Sequence, residues 1–171
     1  MKKISLLDSR IFKEKGYDVV NAFVYLSIAN KLIISNSCCS NDNLRTLKVQ
    51  LAHFIRHLEK TKDYIVSKKT ISRFKSEINY IIKDLEVLGF NHTSVLNEKL
   101  TSSSNIFELL QLLSTIIIII QNNVKDSQHY SELQQKINIL TNNMSTSYDY
   151  SLSKVEILYL QSIQMSINKL L

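Results

Sequence analysis

His53 and His57 lie four residues apart, a spacing that sets both imidazoles on one helical face, where a helix can hold a metal ion. No Asp or Glu stands where a third ligand is needed, and Arg56 between them adds repulsion, so neither a metal nor any other cofactor is expected. Cys38 and Cys39 are adjacent. Neighbouring cysteines rarely bridge each other, and no second Cys-x-x-Cys completes a zinc site, so they read as free thiols or links between chains. Arg45 and His53 have seven residues between them, too many for the Arg–His pair of HEPN-type nucleases. No phosphate-binding glycine loop, no nucleophile elbow, no His-Glu-x-x-His and no spaced carboxylate pair occurs. The chain is not expected to be an enzyme.

Charge gives a second candidate. The net charge of +6 is unevenly placed, because Arg45 to Lys75 holds nine basic residues against two acids. Arg45, Lys48, Arg56, Lys60, Lys68, Lys69 and Arg73 form the expected basic patch. Such a segment can track phosphate, an anionic membrane or an acidic partner, although a solvated helix face is the plainer reading. Within Arg56 to Lys75, Tyr64 and Phe74 are the aromatics interleaved with the basic residues. Phe74 fits an apolar seam better than a stacking platform, so nucleic acid is disfavoured as a partner while a membrane stays open.

The elements that must position these residues are helices. Two Gly and no Pro in 171 residues is far below ordinary usage, and turns and sheets depend on such residues. One all-helical domain is expected. Residues 1–16 read as a flexible N-terminus, 17–34 as an apolar helix, 44–100 as basic middle helices and 105–171 as a long C-terminal helical region. Lys2 and Lys3 precede only a short apolar run, so no cleaved signal peptide is visible. Tyr17 to Ile34 is apolar around most of its circumference but short for a membrane span, and reads as a buried helix. Ser35 to Asn43 then reads as a loop. Leu44, Leu47, Leu51, Phe54 and Leu58 make a heptad seam, and Ile71, Phe74, Ile78, Ile81, Leu85 and Leu88 a second that stops at Gly89 and Phe90. Asn105 with Glu108 forms a capping-box pattern that opens a Leu- and Ile-rich helix containing Ile116 to Ile120.

The longest signal closes the chain. Leu133, Ile137, Leu140, Met144, Tyr148, Leu152, Val155, Tyr159, Ile163, Ile167 and Leu170 recur with a mean step near 3.7 residues, so the stripe stays on one face of a nearly straight helix. Unbroken from Ser131 to Leu171, that helix would run about 60 Å, against a diameter of roughly 40 Å for a domain of this size. The Ser- and Asn-rich middle, Thr141 to Tyr150, is the natural place for a break, but the stripe crosses it in phase and continuity is expected. The architecture that follows is an all-α, elongated helical bundle with long N- and C-terminal coiled-coil helices.

Two stretches carry a family likeness. "NAFVYLSIANKLIISNSCCSNDN" reads as an N-terminal apolar helix leading into a polar run. "VKDSQHYSELQQKINILTNN" with "LYLQSIQMSINKL" reads as a C-terminal helix. Together they resemble the secreted filament and needle-extension proteins of type III secretion systems, of the EspA and SseB type. The resemblance covers about a third of the chain; Arg45 to Leu100 does not align, and the basic charge departs from the family. It implies a self-assembling structural subunit, secreted without a cleaved signal and held by a dedicated chaperone before export. The Leu133 to Leu170 stripe would then join copies of the chain, with Phe23 and Val24 on the partner helix Tyr17 to Ile34. A different class of protein fits the same residues. It is a cytoplasmic helical-bundle interaction protein, such as a chaperone, an immunity or anti-defence factor, or a Bcl-2-like inhibitor. A helix continuous through Met144 and Tyr148 favours the filament; a turn there favours the interaction protein.

Overall fold

The computed structural model describes residues 17–35, 42–61, 66–124, 126–148 and 150–170. Residues 1–16, Cys38, Cys39, Tyr64 and most of the loop expected over 35–43 lie outside the described residues. Among those described, the helices are α1 (Val19–Ser35), α2 (Asp42–Thr61), α3 (Lys68–Val87), α4 (Thr93–Ser102), α5 (Ile106–Asn123), α6 (Ser127–Ser147) and α7 (Lys154–Leu170). The fold is all-α, and the single domain read from the sequence divides into two compact units. One is Tyr64–Tyr148, with α3 to α6; the other combines Met1–Asp63 with Asp149–Leu171 and carries α1, α2 and α7.

In the discontinuous unit, α1 packs chiefly on α2, and α2 also packs on α7. Asp18 starts α1: its Oδ1 accepts the Asn21 N–H at 2.8 Å and its Oδ2 accepts the Asn21 side-chain amide at 2.6 Å, satisfying a first-turn donor. Phe23 and Val24 are buried, as are Val19, Val20 and Leu26 on other faces of α1, so this helix is core around its circumference. The α2 seam is buried in full from Leu44 to Leu58. Tyr17 to Ile34 was expected to pair mainly with the C-terminal stripe; its main neighbour within the chain is instead α2, whose seam is buried throughout.

The expected continuity of the last helix is overturned between Tyr148 and Ser153. Helix α6 ends at Ser147, where the Tyr148 N–H closes on the Met144 carbonyl at 2.9 Å. The backbone then turns extended. Val19 donates to the Tyr150 carbonyl and Leu152 donates to the Tyr17 carbonyl, both at 2.8 Å, around an antiparallel Asp18–Ser151 bridge. These pairings give the non-helical backbone the partners that a continuous helix would have supplied internally. A capping box restarts the helix: the Ser153 N–H donates to Glu156 Oε1 at 2.8 Å, and the Glu156 N–H donates to Ser153 Oγ at 3.2 Å.

In the continuous unit the Ile71 to Leu85 seam is buried, with Leu88 at its exposed end. Helix α3 stops as its sequence requires. The Phe90 N–H reaches the Leu85 carbonyl and the Gly89 N–H the Glu86 carbonyl, both at 3.0 Å, with Gly89 at φ 93°, a conformation that a side chain would strain. Asn105 caps α5 by accepting the Glu108 N–H at 3.0 Å, while the Glu108 carboxylate accepts from Ser104 at 2.7 Å rather than from Asn105. Helix α5 buries Leu109, Leu110, Leu113, Ile116, Ile117 and Ile120. It is long and apolar enough to cross a membrane by length and composition, and half of it is buried here as a core helix would be.

Candidate interaction surfaces

The stripe expected to join copies of the chain is divided. Leu133, Ile137, Leu140, Met144 and Tyr148 are buried in the continuous unit, where Tyr148 meets Phe107 edge-on with ring centres 5.8 Å apart. Leu152, Ile163 and Ile167 are buried in the other. Tyr159 is half-buried, and the side chain of Leu170 lies outside those described. Val155 is 76% exposed, contrary to its place in the stripe. The non-helical step before Lys154 resets the rotational phase, so Glu156 and Leu160 turn inward where Val155 and Tyr159 were expected.

That reset creates a second apolar face. Val155, Leu158 (66% exposed) and Met165 (61%) recur at three and seven residues and point away from the buried side of α7. Beside them runs the outer face of α2. Arg45, Val49, His53, Arg56 and Lys60 fall on one exposed strip of that helix, with Val49 68% exposed. Within the described residues, Arg45, Lys48, His53, Arg56 and Lys60 make no side-chain hydrogen bond or ion pair. The two helices meet at a polar and an aromatic contact. His57 Nε2 lies 3.0 Å from Glu156 Oε2, and because a carboxylate can only accept, Nε2 carries the proton. Phe54 meets the Tyr159 ring edge-on at 5.0 Å. His57 is therefore committed to α7 and does not join His53 as a ligand pair; among the described residues no three His, Cys, Asp or Glu side chains gather.

The rest of the expected basic patch belongs to the other unit and is differently employed. Lys68 and Lys69 are exposed in the first turn of α3, which the Ser67 hydroxyl caps by accepting the Thr70 N–H at 3.2 Å. Arg73 donates to the Ser147 hydroxyl at 3.3 Å and lies over the Phe74 ring at 5.2 Å. Further along α3, Lys75 donates to the Thr101 carbonyl at 3.3 Å and Asp84 pairs with Lys136 of α6. That ion pair crosses a groove of about 380 Å³ between α3 and α6, floored by Ile81 and Leu140 and edged by exposed Tyr80 and Ile139.

A second hollow in this unit, about 490 Å³, lies between the Gly89–His92 turn and the end of α5. Its polar walls are largely occupied. Asp126 caps α6 by accepting the Gln128 N–H at 2.9 Å and also accepts from His129, and these bonds hold its carboxyl below the usual range. Asn123 donates back to the Ile119 carbonyl at 2.9 Å.

Leu158, Met165, Val49 and the His57–Glu156 pair carry this geometry and were not singled out from the sequence. The signal that could have found them is the Ser153-x-x-Glu156 capping box, which announces a helix start and hence a new phase. Searches against protein-family models, curated proteins and solved structures find no match to this chain.

Proposed function

We propose that this chain is a partner-binding helical protein, neither an enzyme nor a self-assembling filament subunit. The observation that carries this reading is the turn from Tyr148 to Ser153. It divides the C-terminal stripe between two units and buries eight of its eleven residues, Leu133, Ile137, Leu140, Met144, Tyr148, Leu152, Ile163 and Ile167. A filament subunit needs that stripe free to meet other copies; here it is spent on the chain's own cores. Asp126 starts a helix, while His57–Glu156 and Lys136–Asp84 tie helices together, structural tasks that also favour a binding role over catalysis. Light scattering after size exclusion, over a wide range of protein concentration, tests the reading. A mass that stays at one chain, 19.8 kDa, supports it. Growth into large oligomers or filaments, visible in negative stain, restores the self-assembling subunit and overturns it.

A further inference from the structure

The α2–α7 face combines two features that are rarely left together on a surface without a use. One is a line of cations that make no ion pair among the described residues; the other is an apolar ridge on the adjoining helix. Because His57 meets Glu156 while Phe54 meets Tyr159, the two helices run antiparallel. His57 and Tyr159 are half-buried at the seam, each between its helix's buried and exposed faces, so the two exposed faces lie on the same side of the pair. We propose that this joint face docks an acidic amphipathic helix from a partner protein, its apolar edge on Val155, Leu158 and Met165 and its acidic edge along Arg45, Arg56 and Lys60.

This rests on the partner-binding reading above and names the surface and the chemistry. Charge complementarity selects the acidic edge: on the exposed side of α2 only Glu59 and the first-turn Asp42 stand against Arg45, Arg56 and Lys60. Arg56 and Lys60, one helical turn apart, repel each other until an acid lies between them. Size selects a helix. Arg45 to Lys60 rises about 22 Å and Val155 to Met165 about 15 Å, so a partner helix of about four turns follows both. A nucleic acid would leave the apolar ridge unused, and the aromatic ring at the seam, Tyr159, is already packed on Phe54. An anionic membrane would also engage an apolar ridge beside cations, so vesicle binding is the competing outcome of the test.

The test is a displayed library of single-helix peptides about four turns long, selected against the full chain. Enriched peptides are expected to carry Glu or Asp along one edge and Leu or Ile at three- and four-residue spacing along the next. Their affinity should fall about tenfold or more for the chain with Arg56→Glu and Lys60→Glu, and again for the chain with Leu158→Ser and Met165→Ser. Arg73→Glu, on the other unit, should leave it unchanged. These positions are exposed, and helical circular dichroism checks that each variant is folded. Peptides without an excess of acid, or binding indifferent to both double variants, overturn the proposal. So does tight binding of an oligonucleotide or of phosphatidylserine vesicles with no acidic peptide enriched. Binders that map elsewhere on a chain that stays monomeric overturn this surface alone, whereas a chain that assembles overturns the reading beneath it.

Discussion

Helices α2 and α3 are built from the same inner pattern and finished with opposite outer faces. Each is twenty residues long, and each buries a seam of Leu, Ile and Phe stepping three and four residues. On α3, Lys68 and Lys69 of the first turn are exposed without a partner among the described residues, but the cations from Arg73 to Lys83 meet a hydroxyl, a carbonyl or an aromatic ring, and Asp84 pairs with Lys136. On α2, no cation finds a partner among the described residues. The inner pattern decides where a helix sits in its unit. The outer one decides whether the helix is already satisfied or still presents unmet charge. Equal seams with unequal exteriors are why the proposal above places the docking surface on α2 rather than on α3.

The largest expected effect tests the equality of the seams. Phe54→Ala and Phe74→Ala should each cost about 3–5 kcal/mol in urea unfolding, because both rings are buried and leave cavities. A loss under about 1 kcal/mol at either site would break the comparison at its root. The next effect sharpens it through α1, the core helix on which α2 packs. Burial pushes the Tyr25 phenol up to about 12 from its ordinary value of 10.0. The raised value means that stability is intact below pH 10 and falls as pH rises from about 10 to 12, by up to about 2–3 kcal/mol. Alkaline titration at the tyrosinate absorbance should show a late step that Tyr25→Phe removes.

A smaller change concerns α7, which packs chiefly on α2. Ser153→Ala removes half of the α7 capping box and should destabilise the discontinuous unit by about 1 kcal/mol. Hydrogen exchange in α7 should quicken while α3 to α6 stay protected. The smallest effect should differ in sign between the two exteriors. Arg56→Gln relieves the repulsion with Lys60 and should stabilise by a few tenths of a kcal/mol, about 0.2–0.5. Lys136→Gln removes an exposed ion pair and should cost about 0.2–1 kcal/mol. If both substitutions move stability the same way, the two exteriors do not differ as described.

Much of this was legible before any coordinates. The seams from Leu44 and Ile71 were fixed by spacing alone, since a three-four repeat has only one inward face to offer. The α3 stop at Gly89 was equally plain, because the motif needs a residue tolerant of positive φ followed by an apolar one. The break at Tyr148 was not. Apolar phase reports which side of a helix points inward, and says nothing of whether the backbone between two inward residues stays helical. Met144, Tyr148 and Leu152 keep four-residue steps straight across a segment whose hydrogen bonds are made by Tyr17 and Val19, far away in sequence. The outward turn of Val155 follows from that long-range pairing, and the exposed ridge on α7 was hidden with it.

The nested order of the two units has a consequence for how the chain is made. As the chain leaves the ribosome, α1 and α2 emerge before α3 to α6, yet their unit lacks α7 until Asp149–Leu171 has been added. Everything needed for α3 to α6 is translated in that interval, so the inserted unit can finish folding before the unit that encloses it in sequence. Through that wait, an apolar helix with no polar side has only α2 to lie against, and closing Tyr17 onto Leu152 is a contact of very long sequence separation. The slow phase of folding should therefore be the docking of α7, and the nascent chain is most exposed to aggregation until α7 has been added.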